Sequence, residues 1–221
     1  MWIFPLAAAV IAAILASMLA LRVLRGGGPA EAAWAAALAM YATASVAMFL
    51  GVLSGWTTAE FRTYWLTGAI LTVPYLALGE IYVLAKRTAG HVLFVALVFG
   101  TAFALTKIRT AAVHAAALRD QLPLGKDVFG SGTAAHRLPQ LYSIPAYVVL
   151  VLGALWSAWR MRSAPELRRR ATGTLAIAAG ATVVAIGSGI GAGFGVVWMF
   201  SVSLAAGIVL MMAGFVRASA R

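Results

Sequence analysis

Long stretches of this chain carry no charged side chain. Residues 1–21, 32–59, 63–79, 88–106, 138–159 and 171–216 are each free of Asp, Glu, Lys and Arg, and short, mainly basic clusters separate them. About 20 helical residues, each rising roughly 1.5 Å, cover the roughly 30 Å hydrocarbon core of a bilayer, so each run can cross it. The last run is about twice the length of one crossing and has to fold back. Gly187, Gly189, Gly191, Gly193 and Gly195 mark the expected turn. The pattern predicts an all-α, integral membrane seven-helix bundle forming a single domain over 1–221. Its spans are expected at 2–21, 32–54, 63–85, 90–107, 141–160, 171–190 and 196–216.

Composition agrees. Hydrophobic residues make up 63% of the chain and charged residues 10%, against about a quarter charged in a soluble domain. The absence of cysteine excludes a disulfide framework, thiolate metal sites and a cysteine nucleophile. His91, His114 and His136 fall near one membrane boundary and in or beside the long loop at the other, so they cannot share a metal. The net charge of +11 sits in clusters between apolar runs, a membrane-protein pattern rather than a nucleic-acid one.

The basic residues also orient the chain, because cytoplasmic loops retain Lys and Arg. Arg22, Arg25, Lys86, Arg87, Arg160, Arg162, Arg168, Arg169, Arg170, Arg217 and Arg221 fall on one side, and Arg62, Lys107, Arg109, Arg119, Lys126 and Arg137 on the other. This predicts the N-terminus outside and the C-terminus cytoplasmic, in a bacterial inner membrane. Helix 1 has its basic residues after it, the reverse of a cleavable signal, and is expected to stay. Trp2, Trp56, Trp65 and Trp198 fall near the expected outer ends and Trp34, Trp156 and Trp159 near the inner ends, the headgroup levels that indole rings favour. The outer connection between helices 4 and 5, about Lys107 to Gln140, is the long one. Its first part, Lys107 to Leu118, keeps a helical alternation and predicts an extension of helix 4, whereas Pro123 to Pro139 reads as an irregular cap.

Glu80 is the strongest candidate for chemistry. It lies about 9 Å along helix 3 from Pro74 at a rise of 1.5 Å per residue, inside the expected hydrocarbon zone. A carboxylate there is costly unless it is paired or takes up a proton. Lys86, Arg87 and His91 are the nearest candidate partners in sequence. Tyr64, Leu71, Tyr75, Leu78 and Tyr82 share a narrow sector of helix 3 opposite Glu80, and Pro74 is expected to open a kink beside Tyr75. Helix 2 carries Trp34, Leu38, Tyr41, Ser45 and Met48 on one face, and helix 5 carries Tyr142, Ser143, Pro145 and Tyr147 near its outer end. Tyr41, Ser45, Tyr64, Thr72, Tyr75, Glu80, Tyr82, Tyr142 and Tyr147 together form the expected ligand-binding set, lining a weakly polar cavity beneath the long loop. No catalytic or metal set assembles around the single intramembrane carboxylate. Gly173, Gly180 and Gly187 place small residues on one stripe of helix 6, suited to close packing within the chain or to a homodimer. Arg168, Arg169 and Arg170 after Glu166 read as an anchor on anionic lipid.

Seven spans, an outside N-terminus and the segment Tyr64-Trp65-Leu66-Thr67 followed by Pro74 resemble the microbial rhodopsin architecture. That resemblance implies retinal on a helix-7 lysine, yet 196–216 contains no lysine. Covalent retinal is therefore disfavoured, leaving no cofactor or a non-covalent lipid or pigment. Trp156-Ser157-Ala158-Trp159-Arg160 and the Ala- and Arg-rich composition resemble seven-span proteins of high-GC bacteria, a resemblance that implies no activity. The expected function is membrane-embedded binding and transport of a small apolar or weakly polar molecule, with Glu80 as an ionisable switch. The alternative is a non-transporting sensor or assembly subunit that signals to a separate cytoplasmic partner through the Arg160–Arg170 loop. The expected partners are the lipid bilayer, the small ligand and a second copy meeting at the helix 6 glycines, with no nucleic acid.

Overall fold

A computed structural model describes residues 2–161, 168–194 and 196–219. Arg162, Glu166, Gly195 and Arg221 lie outside the described residues. Among the described residues the chain is all-helical, and seven helices are long and apolar enough to cross a membrane. These are α1 (Ile3–Leu24), α2 (Pro29–Ser54), α3 (Thr58–Leu84), α4 (Arg87–Thr110), α5 (Ala134–Met161), α6 (Arg168–Phe194) and α7 (Val197–Ser219). Lipid offers no hydrogen-bond partners, so a helix that satisfies its own backbone is the element these apolar runs can form. Every expected span is present; the differences lie at the ends.

α4 stops at Thr110, correcting the expected extension to Leu118. A separate 3-10 turn, Ala115–Arg119, and a short helix, Gly125–Phe129, follow it. α5 starts at Ala134, so the end of the expected irregular cap is helical and both Pro139 and Pro145 lie inside the helix. Pro139 has no N–H for the carbonyl four residues back, Ala135 O. The Trp65 indole of α3 donates to that oxygen at 3.0 Å. A side chain from a neighbouring helix thus replaces the missing amide, which is how a membrane helix tolerates an interior proline.

Thr58–Tyr64 at the start of α3 is capped by Thr57, whose hydroxyl accepts from Glu60 N while the Glu60 carboxylate accepts from Thr57 N. Trp65–Leu71 is then a π-helix, before α-geometry returns at Thr72. Thr72 N and Thr72 Oγ1 both bond Thr67 O, a step of five residues. The distortion expected at Pro74 is therefore a widening of the preceding turns. Ala69 O, five residues before Pro74, faces a position without an N–H, and Ser143 Oγ of α5 donates to it at 2.8 Å.

α6 runs unbroken through the expected glycine turn to Phe194. Gly180 and Gly187 face α7: a methyl on Gly180 would lie 2.5 Å from Gly207 O, one on Gly207 would lie 2.7 Å from Gly180 O, and one on Gly187 would run into Ser203. These two helices pack nearly backbone to backbone. The small-residue stripe of helix 6 is thus occupied within the chain.

Candidate functional site

The bundle has two unlike ends. One lies beneath the connection between α4 and α5, and the other holds Arg22, Lys86, Arg87 and Arg160 at helix ends.

At the connection end, Phe61 is fully buried, with Trp56, Tyr64, Trp65 and Phe129 at ring-centroid distances of 5.5–6.0 Å. Trp56 Nε1 donates to Gln121 O, Arg62 Nη2 to Ala111 O, and His114 N to Val128 O. Rings and backbone carbonyls thereby clamp the connection onto α3. Trp56 and Trp65, expected at the lipid boundary, serve here as internal anchors whose N–H groups find partners inside the protein.

At the arginine-rich end, six of the seven helices leave a cavity of about 460 Å³, within the roughly 300–1,000 Å³ range of small-molecule sites. Leu76, Glu80, Val83 and Leu84 of α3 line it. Facing them are Leu150, Ala154, Ser157, Arg160 and Met161 of α5, and Thr174, Ile177 and Ala178 of α6. Leu19 and Arg22 of α1, Glu31 and Trp34 of α2 and Phe215 of α7 complete it.

Glu80 is 6% exposed and sits one turn inside the end of α3. Two close approaches place it. Gly79 has no side chain, so the Nε1 edge of the Trp34 indole comes up against α3 there and donates to Leu76 O at 3.2 Å. Gly153 of α5 leaves room for Glu80 itself: a methyl at Gly153 would stand 2.8 Å from Glu80 Cγ and 3.3 Å from Oε1. Ser157 Oγ donates to Glu80 Oε1 at 3.5 Å, the limit of a hydrogen bond. The basic residues expected as partners are elsewhere. Lys86 and Arg87 are exposed at the start of α4, and His91 Nδ1 bonds the Tyr82 hydroxyl at 3.0 Å. Among the described residues Glu80 thus faces a cavity with one long hydrogen bond and spare acceptor capacity. Arg22 and Arg160 reach the same cavity from exposed positions on its rim.

The other residues of the predicted set tie helices together. Tyr41 donates to Leu204 O of α7 at 2.9 Å. Tyr75 shares a hydrogen bond with Thr101 of α4, and Tyr142 donates to Gly100 O of the same helix at 2.9 Å. Tyr147 donates to Thr182 of α6 at 2.9 Å. Thr72 is spent on its own helix, Ser45 is buried in α2, and Tyr64 belongs to the aromatic cluster. Of the set, Glu80 lines the cavity at the arginine-rich end. The π segment accounts for the separation of Tyr64 from Tyr75 and Tyr82, because a wheel drawn at 100° per residue loses register across turns bonded five residues apart.

Ser157, Gly153 and Gly79 escaped the sequence reading. Ser157 carried a usable signal, being a hydroxyl about as far from the basic end of its helix as Glu80 is from the end of α3. The two glycines carried none, since only the approach of a neighbouring side chain gives them meaning. Protein-family models, curated proteins and solved structures yield no match to the chain.

Proposed function

We propose that this protein binds, and carries through the membrane, a small amphiphile held non-covalently in the cavity at the arginine-rich end, with Glu80 as its polar anchor. The observation that carries the reading is the placement of Glu80: a buried carboxyl group with one long hydrogen bond, on the wall of a cavity otherwise lined mainly by apolar side chains. A carboxyl group accepts hydrogen bonds in either protonation state, so it selects a ligand head that donates them, such as an amine or hydroxyl. The apolar walls accept an alkyl body. Among the described residues Arg22, Glu31 and Arg160 are the other charged groups on the lining, and they supply a polar exit toward the surface.

The proposed orientation puts the N-terminus outside and the arginine-rich end in the cytoplasm, within a bacterial inner membrane; the skewed distribution of Lys and Arg supports it. A cysteine at Gly132 in the connection, in this cysteine-free chain, should then react with a membrane-impermeant maleimide from outside intact cells. Protection until the cells are opened would reverse the orientation.

The binding test uses dodecylamine, dodecanol and dodecanoate with purified protein. Dodecylamine remains cationic between about pH 5 and 8. It should bind more tightly than dodecanol, and Glu80→Gln should remove that preference. Dodecanoate should bind weakly. Amine binding that is the same in Glu80→Gln would remove Glu80 from the role. Amine flux into protein-containing vesicles no faster than into empty ones would reduce the function to binding.

A further inference from the structure

On the face of α5 turned away from the cavity, Val148, Val149, Leu152, Leu155, Trp156 and Trp159 form an apolar groove with Leu84 of α3. These side chains are exposed, Leu152 to 60%, Trp156 to 53% and Leu84 to 39%. On a helix of membrane-spanning length, that surface meets acyl chains. Leu84 lines both the groove and the cavity. Gly153 lines the groove, and Glu80, on the cavity wall, packs directly on it. The partition between lipid and cavity is therefore one side chain thick, made of Leu84 beside the contact of Glu80 with Gly153.

We infer that the cavity is loaded sideways from the bilayer through the seam between α3 and α5, with Leu84 as the gate, and that its occupant is a single-chain amphiphile. During entry the chain of this occupant lies along the groove while its donor head reaches Glu80, and the chain then follows into the cavity. The inference rests on the cavity being a ligand site, and polarity supports this choice of occupant. The groove offers mainly apolar surface, whereas the cavity behind Leu84 holds Glu80, Ser157 and Thr174. A fully apolar molecule would gain nothing from passing the partition, and a fully polar one would not enter the groove. Leu84 suits a gate because it is near the end of α3, partly exposed and attached to a helix terminus. A rotamer change moves its side chain without breaking a backbone hydrogen bond.

The test measures access and needs no ligand. Ile177→Cys on α6 puts one reporter thiol in the cavity, away from the groove, in a chain with no cysteine of its own. In reconstituted vesicles the thiol is challenged with a pyrene maleimide dissolved in the bilayer and, separately, with a water-borne sulfonated methanethiosulfonate. Adding Leu84→Trp should slow the bilayer-borne reaction about ten-fold and leave the water-borne one within about two-fold. Leu84→Ala, which cannot fail by overpacking, should speed the bilayer-borne reaction by a similar factor. Equal changes for both reagents, or no change for either, would overturn the lateral route. Dodecylamine and dodecanol should protect the thiol and dodecane should not; protection by all three, or by none, would overturn the proposed occupant. Because labelling reports the route without any ligand, a failed gate is distinguishable from a failed role for Glu80.

Discussion

Beneath the long connection, Trp56, Phe61, Tyr64, Trp65 and Phe129 close over one another until Phe61 has no exposed surface, while at the opposite end six helices stop short of contact and leave a hollow. Both ends draw on aromatic, small and weakly polar residues. They differ in what the polar atoms find. At the filled end each indole N–H reaches a backbone carbonyl of the connection or of α5. At the hollow end Trp34 is satisfied by Leu76 O, but Glu80 retains acceptor capacity facing the cavity. Satisfaction alone does not separate the ends, since Arg62 Nε and His136 Nδ1 at the filled end are also buried without a partner among the described residues; what marks the hollow end as a site is the cavity onto which its under-partnered carboxyl group opens.

This contrast can be broken from either side. Phe61→Ala should do the greatest damage, since it removes a ring at the centre of the filled end, at a cost of about 3–5 kcal/mol. A fall in detergent-solubilised melting temperature, with no change in amine affinity beyond the loss of folded protein, would show that the two ends are separable. Gly180→Val tests neither end but the seam of α6 and α7 that forms part of the cavity wall. Its side chain collides with Gly207 O, and overpacking of this kind costs about 1–3 kcal/mol. Thermal denaturation should show the loss, and wild-type stability would mean that the helices slide apart without cost. Glu80→Gln should weaken dodecylamine binding by about ten-fold or more, as expected for a hydrogen bond to a charged group, while leaving the melting temperature near wild type. A large loss of stability without loss of binding would reassign Glu80 as a tie between α3 and α5. Tyr41→Phe is the mildest change. It deletes a buried hydroxyl bond to Leu204 O, and interhelical hydrogen bonds in membranes average about 0.6 kcal/mol. Steric-trap or denaturant titration should resolve an effect of that size, and amine affinity should not move.

The spans were legible because desolvation is local: a run such as 88–106 declares itself residue by residue, with no knowledge of its neighbours. Glu80 was legible for the same reason, as the one carboxylate well inside an expected span, 63–85. What stayed hidden depends on pairs. Pro139 reads as a helix breaker, and nothing nearby in sequence says that Trp65 will supply the absent donor. The glycines from Gly187 onward read as a turn, yet α6 runs helical to Phe194, and Gly187, the first of them, packs against Ser203 of α7. The tyrosines read as a pocket because their spacing shows a shared face. It does not show that Leu204, Thr101, Gly100 and Thr182 stand opposite to take up their hydroxyls.

The widened turns of Trp65–Leu71 have a consequence for everything after them. They act as a phase shifter: each residue of an α-helix advances the azimuth by about 100°, and turns bonded five residues apart absorb about one residue more than α-turns do, so rewinding this stretch as ordinary α-helix at unchanged length would swing the rest of α3 by about that angle, whereas also deleting one amino acid would leave it nearly in place. In the first case Glu80 would rotate off the hollow, and its acidity would be spent on another neighbour. An address in this bundle is therefore set by angle as much as by height, and seven residues fix that angle from three turns away.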